Sequence, residues 1–369
     1  MRGVVAVLVA CLAVSLAAGA APLCSYRSPL TDLADLLMSF SYQYTNDPYG
    51  SKERDVNEGS FLVDYTRLYD KPEYGFDIAL SNRLDISVLD VANYSTVADG
   101  SYKRYLESES DAFAFAGASA RSSSSYASLG VTASLGLGLG RFTDVTPLAI
   151  ATRIDDYLTE QGSLKNHLRS ADLEIMAYEI GSRETFATLA DLVDAVRDII
   201  ESSGFAKLGG LDALDLSQIG ALLADESFSR YCGWDGKIGV GYEILDPSGG
   251  ERDLLVMGSF NYAFTTAPNV QLLLSGSISG PPDIFTTSRI DLGAEYDYIV
   301  SDFLDLTATY SFSRETWAGT PTDVHHIGLD VVLTPLDTAD VTLAITMEHR
   351  PYYLEWSLDI RLGISIQLL

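Results

Sequence analysis

Apolar and polar residues alternate one for one along most of this chain, which is the signature of strands whose successive side chains point to opposite faces. Met38, Phe40, Tyr42 and Tyr44 alternate with Ser39, Ser41 and Gln43, and Tyr74, Phe76, Ile78 and Leu80 alternate with Gly75, Asp77, Ala79 and Ser81. "SLGVTASLGLGLG" sets Leu129, Val131, Ala133, Leu135, Leu137 and Leu139 against Gly, Thr and Ser. The pattern is weaker between 92 and 125, where either one long loop or a further hairpin fits. Period two returns near 236 and holds to the end, through Ile238–Ile244, Ile290–Tyr298, Leu304–Phe312 and Val341–Met347. It closes on "YYLEWSLDIRLGISIQLL", where Leu354, Trp356, Leu358, Ile360, Leu362, Ile364, Ile366 and Leu368 share one face.

Between these two strand regions the period changes to that of a helix. Thr146 is placed as N-cap, with Pro147 at the first helical position and Gly162 at the C-terminal end. Leu148, Ala151, Ile154, Tyr157 and Leu158 recur at helical spacing between them. Further helical stretches are expected at 171–180, 184–202 and 214–228. The predicted organisation is N-terminal strands over 36–142, a helical insert of three to four helices over 143–230, and C-terminal strands over 235–369. An insert of roughly 85 residues is large enough for a small core of its own.

The N-terminal "MRGVVAVLVACLAVSLAAGA" has a positive Arg2, an apolar run and a small-residue site at Ala18-Gly19-Ala20, so residues 1–20 are expected to be a cleaved export signal. Removal of Cys11 with it leaves Cys24 and Cys232, a candidate disulfide pair in an oxidising compartment, with two unpaired buried thiols as the alternative. The formal net charge of −27, from 51 acidic and 24 basic residues, excludes a nucleic-acid footprint. Beyond the N-terminus there is no apolar run of roughly 18 residues, so no spanning helix is expected.

A soluble sandwich would alternate too, but these apolar rows are long for one, and the opposite rows are crowded with Gly, Ser, Thr, Asp and Glu. Tyr, Phe and Trp near the row ends suit an interfacial girdle, and a closed barrel is the sheet architecture that leaves no edge in lipid. On this strand grammar and export signal the chain resembles the Gram-negative bacterial outer-membrane β-barrel proteins. The resemblance implies an all-β transmembrane antiparallel barrel in the outer membrane, with bilayer lipid and the barrel assembly machinery as partners. It departs from that family at its end, Leu368-Leu369, where an aromatic residue is common. About eight strands after the insert and an even number before it give about 12 strands, or about 14, with the helices on the periplasmic side. There they could dock a periplasmic protein.

The inward-facing candidates are Arg289, Asp291, Glu295, Asp297, Asp305, Asp330, Glu348, Glu355, Asp359 and Arg361. An acidic lumen would favour cations; the same residues could instead be ion pairs filling a narrow wall. No residue is assigned to catalysis: His325 and His326 point to opposite faces, and His326 with a neighbouring Ser is a thin basis for a barrel hydrolase. No metal-ligand spacing and no cofactor motif is found. The expected function is a cation-preferring pore or substrate channel with a helical gate or plug; the alternative is a non-conducting barrel that binds surface polysaccharide or a protein.

Overall fold

The computed structural model describes residues 23–28, 31–45, 56–88, 90–107, 110–225, 228–247, 253–301, 303–336, 339–349 and 355–366. The export-signal expectation for 1–20, the loop residues 46–55 and the terminal Leu368-Leu369 lie outside them. The strands are β1 Thr31–Thr45, β2 Val56–Asp70, β3 Tyr74–Ser87, β4 Asp90–Tyr105, β5 Ala112–Ser123 and β6 Gly130–Asp144. After the helices come β7 Tyr231–Leu245, β8 Leu254–Ala267, β9 Val270–Gly280, β10 Ser288–Ser301 and β11 Leu304–Trp317. The last three are β12 Thr320–Leu336, β13 Ala339–His349 and β14 Ser357–Ile366. They form one 14-stranded sheet in sequence order, each strand antiparallel to the next. Among the described residues no pairing joins β14 to β1.

Among the described residues the count is therefore 14, the runner-up to the expected 12, and the extra hairpin is β4–β5, inside the stretch of weak alternation. The reason is an inverted pattern. In β5 the row in register with the apolar faces of its neighbours is Ala114, Ala116, Ala118 and Ala120, while the large Phe113 and Phe115 lie on the other face. Hydropathy alone gives such a strand no consistent outside.

The sheet is strongly curled. Lys237 on β7 bonds Asp77 on β3 at 2.9 Å, whereas four flat inter-strand steps would separate them by about 19 Å. Leu68 and Asp77 of β2 and β3 line the same ≈ 1030 Å³ cavity as Leu273, Glu295 and Asp297 of β9 and β10. The concave interior face carries the Gly, Ser, Thr and charged rows. The apolar rows face outward and are bare: Phe40 is 65 % exposed, Leu135 64 %, Ile238 68 % and Leu362 71 %. That inverts the ordinary soluble arrangement, in which rows of this kind are covered.

The apolar core of the molecule lies instead in the insert. Its helices are α1 Thr146–Glu160, α2 Ser170–Gly181, α3 Leu189–Ser202 and α4 Ala213–Ala224. Val145, Ile154, Leu158, Met176, Val196, Ile200 and Ile219 are fully buried among them. The cap of α1 differs from the sequence expectation: Val145 is the N-cap and Thr146 already helical, because the Asp144 carboxylate accepts from the Thr146 N–H at 2.8 Å. Helix α3 starts at 189 and not 184, since Thr188 and Asp191 form a capping box there; Asp212 and Asp215 repeat it at α4. Gly162, just past the end of α1, has φ +71°, as a helix-terminating glycine should.

The insert leaves β6 at Asp144 and re-enters at Tyr231, two residues paired with each other. It thus hangs from the same end of the sheet as Thr31. The N-terminal segment is fastened there too: Cys24 and Cys232 are disulfide-bonded, 208 residues apart, and the Tyr26 hydroxyl donates to the Ala177 carbonyl at 3.3 Å. Burial and the nearby Asp144 carboxylate push the Tyr26 phenol up to about 12, so it stays a neutral donor.

Candidate functional site: the charged interior

The strand registers bring most of the sequence-derived candidates to one face. On β10, Arg289, Asp291, Glu295 and Asp297 occupy alternate positions. Register partners extend that row through Asp305 on β11, Asp330 on β12, Glu348 on β13, and Asp359 and Arg361 on β14. Glu355 does not join them: it precedes β14, has no register partner and is exposed, because the final strand starts at Ser357 and not near 352. Several of the acids have cationic partners. Arg289 donates to both Asp291 oxygens at 2.8 and 3.2 Å, and Arg361 pairs with Asp359 at 2.8 Å. Asp297 accepts from Thr307 at 3.2 Å and pairs at 3.0 Å with Arg230, on the segment returning from the insert. Arg230 also donates to the Pro268 carbonyl at 2.7 Å, and burial pulls its guanidinium below its ordinary value. The end of the insert is thereby pinned against the base of the interior.

Across the interior lies a cluster that sequence reading missed. Lys103 on β4 is 1 % exposed, with its Nζ 2.7 Å from Asp70 and 4.0 Å from Asp235. The Tyr105 hydroxyl donates to Asp70 at 2.8 Å, and Asn261 donates to Asp235 at 2.8 Å. Lys103 also sits 5.5 Å from the ring centres of both Tyr105 and Phe113, and the Arg141 guanidinium stacks 3.8 Å over Tyr105. Arg141 reaches on to the Lys71 and Pro72 carbonyls, at 3.3 and 3.2 Å, which ties down the β2–β3 turn. The inward glycines of "GLGLGRF" make this packing fit. A Cβ at Gly138 would overlap the Phe113 ring, and one at Gly136 would overlap Phe115. Higher up the wall, Lys237 bridges Asp77 and Ser101 at 2.9 and 3.3 Å.

The cluster left faint traces in the sequence. Asp70 stands before "KPE" and reads as a turn residue, and Lys103 falls in the stretch of weak alternation that fits either a loop or a hairpin. A charged residue at an inward parity position of β4 would have been the signal, had β4 been recognised.

Other groupings are smaller. His326 faces Ser311 on one side and Glu348 on the other in strand register, on the interior face. In the insert, Asp155, Asp156 and His167 bring one ligand atom each to within 4.8 Å of one another. Asp155 is already engaged, by His167 Nδ1 at 2.8 Å and by the Leu168 N–H at 2.8 Å, and so serves to tie the loop after α1 to that helix.

An up-and-down antiparallel sheet, curled around a charged interior and apolar on its exposed outer face, resembles the outer-membrane β-barrel class. No protein-family model matches the sequence, and no curated protein matches it. Among solved structures the chain is similar to the CymD monoaromatic hydrocarbon channel, with a TM-score of 0.29, 10 % identity, and coverage of 94 % of this chain and 90 % of that one. It is similar also to the TodX monoaromatic hydrocarbon channel deltaS2 mutant, with a TM-score of 0.26, 11 % identity, and coverage of 92 % and 89 %.

Proposed function

We propose that the sheet closes β14 against β1 in the bacterial outer membrane and works as a cation-preferring pore narrowed at its periplasmic mouth by the helical insert. One observation carries this reading: acids outnumber arginines on the interior row of β10–β14, beside a ≈ 1030 Å³ cavity, while the outward rows are apolar and bare. Closure follows from solvent physics, because unpaired strand edges in hydrocarbon leave backbone groups unsatisfied at several kcal/mol each. An acidic wall lowers the entry cost of a cation and raises that of an anion. The Arg230–Asp297 pair and the Cys24–Cys232 bridge support the narrowing, since both hold insert and N-terminal segment to the base of the sheet.

Planar-bilayer recording of the folded chain in a KCl gradient tests the reading. Discrete steps with a reversal potential on the cation side are expected, and the D297N/D305N variant should move that potential toward zero. A barrel silent at every voltage would sink the pore, and an anion-side reversal would sink the preference. If reduction of Cys24–Cys232 leaves the conductance unchanged, the bridge does not hold the constriction shut.

A further inference from the structure

The outer face carries a second chemical grouping that a pore does not need. His325 on β12 and His349 on β13 are directly opposed in strand register, so their side chains leave the sheet on the same side. This is the apolar, outward side; His326 points the other way. The two imidazole ring centres stand 6.2 Å apart. Both lie toward the end of the sheet opposite the insert, His349 being the last residue of β13.

An imidazole nitrogen binds a transition metal at about 2.0–2.1 Å, which places the ring centre about 3.2 Å from the ion, so two rings sharing an ion stand up to about 6.4 Å apart. The observed spacing is that of near-linear ligation; tetrahedral or cis square-planar ligation needs about 5.2 or about 4.5 Å, a closure that rotation of the two side chains about χ1 and χ2 supplies. Tyr310 supplies the orienting contact that ligating histidines commonly have, its hydroxyl lying 3.0 Å from His325 Nδ1. When Nδ1–H donates to that oxygen, the lone pair is left on Nε2, the tautomer that can bind a metal. Phe312 packs beside the ring at 5.0 Å, and Trp356 stands 6.2 Å from His325 and 5.3 Å from His349, forming a wall over the pair. Asp323, two residues from His325 on the same face, is held by Arg314 at 2.7 and 2.8 Å.

We propose that His325 and His349 form an outward-facing, two-histidine site for a divalent transition-metal cation, Cu²⁺ binding more tightly than Zn²⁺. Imidazole pairs select such borderline ions over Mg²⁺ or Ca²⁺, and Cu²⁺ heads the affinity order. Water completes the coordination, so the site binds and releases its ion at the surface. An interfacial aromatic belt accounts for Tyr310, Phe312 and Trp356. It does not account for two imidazoles in register with one fixed by a hydroxyl.

Trp356 is a built-in reporter. The chain has 3 tryptophans, and the other two, Trp234 and Trp317, are 48 % and 74 % exposed, so W234F/W317F leaves Trp356 as the sole emitter. That variant of the full chain, folded in lipid vesicles, is titrated with CuCl₂. Quenching that saturates at one equivalent and is reversed by excess ZnCl₂ is expected. H325N and H349N should each abolish saturation, and Y310F should weaken binding about tenfold. H326N, on the opposite face, and H167N, in the insert, should leave the curve unchanged. Linear, non-saturating quenching of the parent would overturn the proposal, as would identical curves for the parent, H325N and H349N, or loss of saturation in H326N.

Discussion

Replacing Lys103 with methionine keeps an unbranched side chain as far as the ε position and removes the ammonium from the most enclosed ion cluster of the interior. At an effective dielectric constant of about 20, the attractions across 2.7 Å to Asp70 and 4.0 Å to Asp235 are about 6 and about 4 kcal/mol. Much of that is offset by the cost of burying the ammonium, so the net value of the pair is small, but removing one partner of a buried pair costs about 3–5 kcal/mol. In Lys103→Met, Asp70 and Asp235 retain only Tyr105 and Asn261 as neutral donors and repel each other across the space left. The expected loss is about 3–5 kcal/mol in urea unfolding from lipid vesicles, followed by tryptophan fluorescence, with Trp234 adjoining Asp235 as reporter. The K103M/D70N double variant should recover part of it, because one uncompensated carboxylate has gone. A single K103M variant within about 0.5 kcal/mol of the parent would refute the cluster as a structural tie.

Gly138→Ala should cost about 1–3 kcal/mol by overlap with the Phe113 ring and the Gly236 carbonyl, measured in the same assay, and F113L in that background should relieve only the part due to the ring. C24S/C232S should lose roughly 2–5 kcal/mol, and non-reducing against reducing electrophoresis of the parent will show the bridge as a mobility change. In the insert, hydrogen bonds from Arg169 hold the Asp172 carboxyl below its ordinary 3.8. That contribution is therefore complete above pH 3.8 and is lost as pH falls through the lowered value. The protection factors of α2 amides, taken relative to the intrinsic exchange rate at each pH, should fall across that window in the parent, whereas R169Q should be less protected above it and show a smaller change through it.

Legibility followed the contrast between the two faces of each strand. β1, β6, β7, β10 and β11 could be read because large apolar residues stand on one face and small or polar ones on the other. β5 could not, since alanines face out and phenylalanines face in. The insert stood out by its change of period; α1 starts one position early because the Asp144 carboxylate takes the Thr146 N–H, and α3 starts at 189 in place of 184 because the capping box is that of Thr188 and Asp191. The acidic row of β10–β14 was visible because parity within a strand fixes the face.

Periodicity along the chain was enough to read most of the two-sided strands, their facing and the helical interruption, because side-chain alternation is a local property of the backbone. Which strands stand across the interior from one another is set by the folded sheet alone. That sheet sets Lys103 between Asp70 and Asp235, Lys237 against Asp77, Arg230 against Asp297, and His325 beside His349. Those meetings depend on sheet register and curl, summed over many strands, and no short window of sequence contains them.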